Sequence, residues 1–217
     1  FHYTQIVLGI CGNEAKFATA GTEMKYWSVW RVKEDKKQFE DEVQARVNQQ
    51  LNDELIEKLI ETSKQTNMSY RIPAINDLNT KRKVTTQDHT LYALCRPERL
   101  LEMTYKYIRF NCRGQKIARY QQYFAVEKIM KRTSEMGKDG QRQGGIIWHT
   151  QGSGKSLTMV MLAKALALSE DIKNYKIVLV TDRIDLDEQL KKNFVQTGYE
   201  VDQATTGKDL SQLLNFK

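Results

Sequence analysis

The run His149-Thr150-Gln151-Gly152-Ser153-Gly154-Lys155-Ser156 concentrates the residue types that bind a polyphosphate. Glycines let a backbone curl until successive N–H groups face one phosphate. A lysine ammonium neutralises the β- and γ-oxygens, and a serine hydroxyl ligates the Mg2+ that travels with a nucleotide. Gly152, Ser153, Gly154, Lys155 and Ser156 are therefore candidate ATP-binding residues, with Ser156 the candidate Mg2+ ligand. The Walker A pattern G-x-x-x-x-G-K-[ST] is met at every position but the first, where His149 stands in place of glycine. His149 either lines the loop or packs at the end of a strand.

Such a loop needs a strand to deliver it and a helix to receive it, because the positive N-terminal end of the helix must point at the phosphate. Ile146-Ile147-Trp148 reads as a short apolar strand, and Leu157 to Leu168 as a helix apolar nearly all round. Beyond them Ile177-Val178-Leu179-Val180 reads as a second apolar strand, Asp185 to Phe194 as an amphipathic helix and Asp209 to Phe216 as a further helix. Apolar strands separated by helices predict an α/β fold with a parallel sheet covered on both faces.

The preceding residues differ in character. No glycine lies between Gly21 and Gly114, whereas six crowd the stretch from Gly137 to Gly154. Tyr3 to Leu8 and Lys16 to Thr19 predict a hairpin about the turn Cys11-Gly12-Asn13. Phe39, Val43, Val47, Leu51, Leu55 and Leu59 recur at helical spacing, which predicts an amphipathic helix with room for an interruption. Pro97 opens a helix running through Leu100, Leu101, Tyr105 and Ile108. A third helix spans Tyr120 to Lys131, followed by a polar, glycine-bearing loop from Ser134 to Gln143 that should be exposed and mobile. The change near residue 110 suggests a boundary, with 1–110 and 111–217 as the two parts.

Length and composition agree with this. At 217 residues and 25.3 kDa the chain is one domain or parts of two. Hydrophobic residues make up 40% and charged residues 28%, with mean hydropathy -0.61, which excludes membrane and low-complexity classes and predicts a soluble globular protein. The three cysteines, Cys11, Cys95 and Cys112, form no Cys-x-x-Cys pair, so neither a disulfide framework nor a structural zinc site is expected and a cytoplasmic location is. The net charge is +7, yet Lys81 to Arg142 alone holds fifteen bases against six acids. Interleaved with tyrosines, that block suits a polyanion surface or, equally, a solvated helix face. Glu14-Ala15-Lys16 matches half of a PD-(D/E)xK nuclease site, in which two carboxylates bind Mg2+. It sits at an expected turn with no Asp or Glu before it, so a structural role is favoured.

Gly144 to Thr158, read as one stretch, resembles helicase motif I of the motor subunit (R subunit) of type I restriction endonucleases, a superfamily 2 family in which the first Walker glycine is usually replaced. Val178 to Leu190 is similar to that family's motif Ia, and Ala118 to Val126 to its adenine-reading segment. More weakly, Gln5 to Trp30 looks like the late part of its nuclease domain. The resemblance implies a RecA-like motor in 111–217 and the end of a nuclease domain in 1–110. It also implies ATP and Mg2+ as cofactors, and double-stranded DNA and the methyltransferase and specificity subunits as partners, with no membrane. Gln122 would bond the adenine edge, with Gln121 the alternative one residue away and Tyr120 or Tyr123 stacking nearby. The other reading of Gln122 is a helix-end residue. Thr181 and Arg183 would contact a DNA phosphate, or else form a structural turn.

No Asp-Glu-x-His tetrad follows Lys155, so the Walker B carboxylates are not in this sequence, and neither are the arginine fingers of a second RecA-like domain. The chain therefore reads as a truncation, inactive alone and at most a weak nucleotide binder, of an ATP-dependent DNA translocase and endonuclease. The alternatives are a superfamily 2 motor without a nuclease and a non-catalytic module that docks DNA or a protein partner. If the basic block meets phosphates, DNA binding by the chain measured by gel shift should fall at least tenfold between about 50 and 200 mM salt; apolar docking would leave it nearly unchanged.

Overall fold

The structure, a computed structural model, describes residues 3–32, 35–111 and 114–215. Phe1, Cys112, Arg113 of the basic block and Phe216 of the last expected helix lie outside the described residues. In chain order the elements are β1 (Val7–Ile10), β2 (Ala15–Ala18), α1 (Lys36–Val47), α2 (Asp53–Gln65), α3 (Ile72–Asn76), α4 (Thr86–Cys95), α5 (Pro97–Lys106), β3 (Ile108–Asn111), β4 (Gly114–Ile117), α6 (Tyr120–Ser134), α7 (Lys155–Ala167), α8 (Ile184–Val195) and α9 (Gly207–Asn215). The chain divides into two units, one of residues 8–16 and 29–100, the other of 1–7, 17–28 and 101–217. No described helix is long and apolar enough to cross a membrane.

In the unit holding α1 to α4, short polar side chains set the helix ends. The expected amphipathic helix is two helices. Asn52 ends the break by accepting the Leu55 N–H at 2.9 Å, a side-chain cap that starts α2. Between the two helices Asn79 bonds both the N–H and the C=O of Leu51 (2.8 and 3.0 Å), and Asn48, just after α1, does the same for Arg82, which precedes α4 (2.7 and 3.1 Å). Val43 of α1 and Ala93 and Leu94 of α4 are buried. Phe39 packs edge-on against Tyr92, whose hydroxyl donates to Glu42 at 3.1 Å.

Asp88 is the electrostatic centre of this unit. At the third position of α4 it accepts the Thr85 N–H at 2.9 Å and the Thr85 hydroxyl at 2.7 Å in a capping box, and takes a bidentate pair from Arg82 at 2.6 and 2.7 Å. The Arg82 guanidinium, helped by the Thr85 bonds, holds the buried carboxyl well below the usual carboxylate range against the opposing effect of burial.

In the unit of α6 to α9, β3 and β4 form an antiparallel hairpin in the register Ile108↔Ile117 to Asn111↔Gly114. Tyr107, Ile108, Met103, Tyr123 and Val126 are buried, the two tyrosine rings 4.7 Å apart. Each phenol finds a carboxylate, Tyr107 donating to Glu127 and Tyr123 to Glu102, both at 2.7 Å, as buried hydroxyls must. Lys164 of α7 donates to the Ile108 carbonyl, and Arg109 of β3 to Asn193 and Gln196 of α8 and its C-terminal end, which ties the hairpin to both helices. A second cluster joins Val160, Ala163 and Phe194 with Leu179, Tyr199 and Val201.

The α/β expectation holds as a mixture of helices and small sheets, but not as a parallel sheet. Among the described residues the sheets are β1 with β2 and β3 with β4. Ile146–Trp148 and Ile177–Val180, expected as strands, join no ladder among the described residues; apart from Leu179, which packs on the Val160 cluster, their side chains are exposed, Ile146 at 95%, Trp148 at 89% and Val180 at 89%. A strand exists only through hydrogen bonds to a neighbour; an apolar run specifies that a segment is to be buried, not what it pairs with. Conversely β3 begins at Ile108, where the helix from Pro97 was expected to continue.

Since its folded pKa is depressed, Asp88 contributes stability that is full above the unfolded carboxylate value near ~4 and is lost as pH falls through the folded value. Asp88→Ala should therefore cost about 2 kcal/mol at pH 7, measured by urea unfolding, with the gap to wild type narrowing at pH 3.

Candidate nucleotide-binding loop

The loop from His149 to Lys155 turns through two left-handed glycines, Gly152 at φ +74° and Gly154 at φ +84°. Side chains rarely tolerate that conformation. Gly154 is the N-cap of α7, so Lys155 and Ser156 open the helix and its first N–H groups have no partner within it. The Ser153 N–H donates to the Thr150 carbonyl at 3.3 Å, closing the turn. Lys155 Nζ donates to the carbonyls of His149 (3.0 Å) and Thr150 (3.1 Å), so the ammonium lies against the loop it is expected to serve. The Ser153 hydroxyl is buried without a hydrogen-bond partner among the described residues, a polar atom at this position that a phosphate oxygen would satisfy.

Gln122, in the first turn of α6, reaches this loop. It is only 4% exposed. Its Oε1 accepts the Arg119 N–H at 2.9 Å, and its Nε2 donates to the carbonyls of Gly154 at 3.2 Å and Ser153 at 3.4 Å. The amide that the resemblance gives to adenine is thus bonded at both ends within the protein. A Cβ on Gly154 would stand 2.6 Å from Gln122 Nε2, whereas one on Gly152 would meet nothing within 4 Å. Gln121 faces the other way, exposed, into a groove of about 820 Å³ lined by Phe124, Lys128 and Arg132 of α6 and by Ile146, Trp148 and His149.

These residues are of the kinds that fit a nucleoside triphosphate: two left-handed glycines, a helix N-terminus, an ammonium and an unsatisfied buried hydroxyl lie within one short loop. For Mg2+ the loop offers Ser156. No group of three or more metal-binding side chains occurs among the described residues, Glu14 included.

The remaining candidates lie elsewhere. Tyr123, named as a stacking residue, is in the core, because its ring packs on Tyr107 and Phe124. Arg183 is the N-cap of α8 and pairs with Asp185 at 2.8 Å on the surface, and the Thr181 hydroxyl lies 3.5 Å from Asp187 Oδ1. Both therefore sit at the N-terminal end of α8, already engaged with its first-turn acids. Cys11 and Cys95 are free thiols. Sequence reasoning missed the contact of Gln122 with Gly154. The signal for it was a buried-type spacing on α6, with Gln122 beside Tyr123 and Val126, that only packing against α7 could interpret.

Residues 121–217 match the SWI2/SNF2 ATPase family model. The chain is similar to the HindI endonuclease subunit, a type I restriction enzyme subunit of Haemophilus influenzae, at 38% identity over 126 residues, 55% of this chain and 11% of the relative. It is similar also to type I restriction enzyme endonuclease subunits of Staphylococcus aureus, at 31% identity over 52% of the chain and 12% of the relative, and of Staphylococcus saprophyticus, at 30% over the same shares. No solved structure matches the chain. The resemblance read from the motifs is thereby shown: the chain is similar to type I restriction enzyme endonuclease subunits, and the stretch holding the loop matches the model of a helicase-like ATPase family. The matched stretch spans about a tenth of the length of the relatives.

Gly152→Ala and Gly154→Ala separate the two demands on the loop. Each should cost about 1–2 kcal/mol for the left-handed backbone. Gly154→Ala should cost measurably more in the urea midpoint, because it alone also displaces the Gln122 amide.

Proposed function

We propose that this chain contributes the nucleotide-binding loop of an ATP-dependent DNA translocase that is part of a type I restriction enzyme. One observation carries the reading: Gly154 caps α7 in a left-handed conformation with Lys155 as the next residue, so a helix N-terminus and an ammonium lie together at the end of the loop. Loop amides and the helix end hold the β-phosphate, Lys155 leaves the His149 and Thr150 carbonyls for the more strongly charged phosphate oxygens, and Ser156 ligates the metal ion. Mg2+, when bound with ATP, supplies neutralisation of charge on the phosphate oxygens. Gln122 belongs to the same site through its contact with the loop.

On this reading residues 111–217 are the start of a RecA-like motor domain whose parallel sheet takes in Ile146–Trp148 and Ile177–Val180, and residues 1–110 are the end of a nuclease domain. Thr181 and Arg183 meet a DNA phosphate, with Arg183 exchanging Asp185 for the strand. The partners are double-stranded DNA and the methyltransferase and specificity subunits, in the cytoplasm. The chain by itself binds nucleotide weakly and neither hydrolyses ATP nor cuts DNA, since hydrolysis needs carboxylates it does not supply. The SWI2/SNF2 match taken alone favours a second reading, a DNA motor without a nuclease.

In the complete enzyme Lys155→Ala should lower DNA-stimulated ATPase by at least 100-fold, measured as phosphate release with and without duplex DNA. Unchanged turnover would remove the assignment. DNA cleavage by the unmodified enzyme separates the first reading from the second.

A further inference from the structure

We infer that Arg109 is a positioning residue that fixes the direction of α8 against α6 and α7 and thereby presents Thr181 and Arg183 to a DNA phosphate, without touching DNA itself. The inference rests on the DNA-contact part of the reading above and names the residue on which that contact depends.

Arg109 is a buried cation whose partners are all neutral. It is 6% exposed, burial pulls its pKa below the usual guanidinium value, and among the described residues no carboxylate pairs with it. Its fork closes instead on one end of one helix. Nη1 donates to Asn193 Oδ1 at 3.2 Å, and Nη2 to the Asn193 carbonyl and to Gln196 Oε1, both at 3.1 Å. The last carbonyls of a helix lack intrahelical donors and carry the negative end of its dipole, so the C-terminus of α8 takes the place of a counter-ion. Nε stays buried without a partner among the described residues. An apolar side chain would fill this place without stranding a donor. What the guanidinium adds is direction, because its planar fork fixes the helix end in orientation as well as in distance.

The helix needs direction at this end. Its buried side chains, Leu190 and Phe194, lie in its second half, while Ile184 at its start is 80% exposed. It is therefore anchored at one end and carries the candidate DNA contacts at the other. A helix of 12 residues spans about 18 Å, so a swing of about 10° at the anchor displaces Arg183 by about 3 Å, as far as a hydrogen bond is long. The anchor is tied to the helices of the nucleotide loop as well. Ile108, the residue before Arg109, accepts from Lys164 of α7 at 3.2 Å through its carbonyl. β4 runs on into α6 through Ala118, whose N–H donates to the Tyr107 carbonyl at 3.0 Å. One hairpin thus holds α6, α7 and the end of α8.

The test is ATP hydrolysis by the complete enzyme at varied duplex DNA and varied ATP. Wild type is compared with Arg109→Met, Arg109→Lys, Asn193→Ala, the contact variant Thr181→Ala/Arg183→Ala, and that contact variant carrying Arg109→Met in addition. The contact variant should raise the half-saturating DNA concentration at least about tenfold, as loss of a charge-assisted bond to phosphate does. Arg109→Met and Arg109→Lys should each raise it about fivefold with the KM for ATP unchanged, since a single ammonium does not reproduce the fork. Asn193→Ala leaves Arg109 and its charge in place and should raise it about twofold. Adding Arg109→Met to the contact variant should weaken DNA use no further, because a residue that acts through Thr181 and Arg183 then has nothing left to act on. A general folding defect would multiply the two effects. Multiplied effects, a KM for ATP that rises as far as the DNA requirement, wild-type DNA dependence in both Arg109→Met and Asn193→Ala, or a lysine variant indistinguishable from wild type would each overturn the inference. If the contact variant kept the DNA requirement of wild type, the DNA-contact reading would fail first and take this inference with it.

Discussion

The packing of α6 on α7 is the constraint from which the rest of the nucleotide loop follows. It brings the first turn of one helix against the first turn of the other. At that junction a buried amide has to find partners, because an unsatisfied polar group in the interior costs about 1–3 kcal/mol. Gln122 finds them in the N–H that precedes its own helix and in the carbonyls that precede the next. Two demands then fall on one residue. Position 154 must take a left-handed backbone and must carry no side chain, and only glycine meets both. Position 152 answers to the first demand alone.

The same dependence on polar side chains runs through the helical unit of α1 to α4, where few residues are fully buried. Asn52 and Asn79 complete backbone hydrogen bonds that the interrupted helix leaves open, Asn48 does so for Arg82, and Asp88 both caps α4 and anchors Arg82. This unit is organised by capping and clasping more than by apolar burial, so single asparagine or aspartate positions carry weight that hydropathy would not assign to them.

Charge looks different once placed. The basic block from Lys81 to Arg142 reads as a polyanion surface, yet many of its cations have structural partners. Arg82 is held by Asp88, Lys106 by Glu102, Arg109 by Asn193 and Gln196, Arg132 by the Gly144 carbonyl and Arg142 by the Thr133 carbonyl, while Arg96 lies over the Tyr92 ring. Arg109 is buried, and desolvation lowers its pKa. The charge count therefore overstates the cation density offered to a phosphate backbone, because guanidinium groups serve as structural donors to carbonyls and rings as readily as they serve as ligands.

What the sequence determined by itself is local. The glycines, lysine and serine of the loop, the proline that opens α5 and the apolar spacing of α6, α7 and α8 act within a few residues of one another, so their types and order suffice to place them. Ile146–Trp148 and Ile177–Val180 could be recognised as apolar and extended but not paired, since ladder partners lie far along a chain and apolar composition does not name them. The hairpin of β3 and β4 went unread although its partners lie three to nine residues apart, because Ile108 continues the helical spacing of α5 and the polar Arg109, Gln115 and Lys116 give no apolar run; Tyr123 could not be told from a ring-stacking residue until its hydroxyl met Glu102. Only the tertiary structure decided the part played by Gln122. Its distance from Gly154 is 32 residues along the chain and 3.2 Å between amide and carbonyl, and hydrogen bonds are specified by the second separation, not the first.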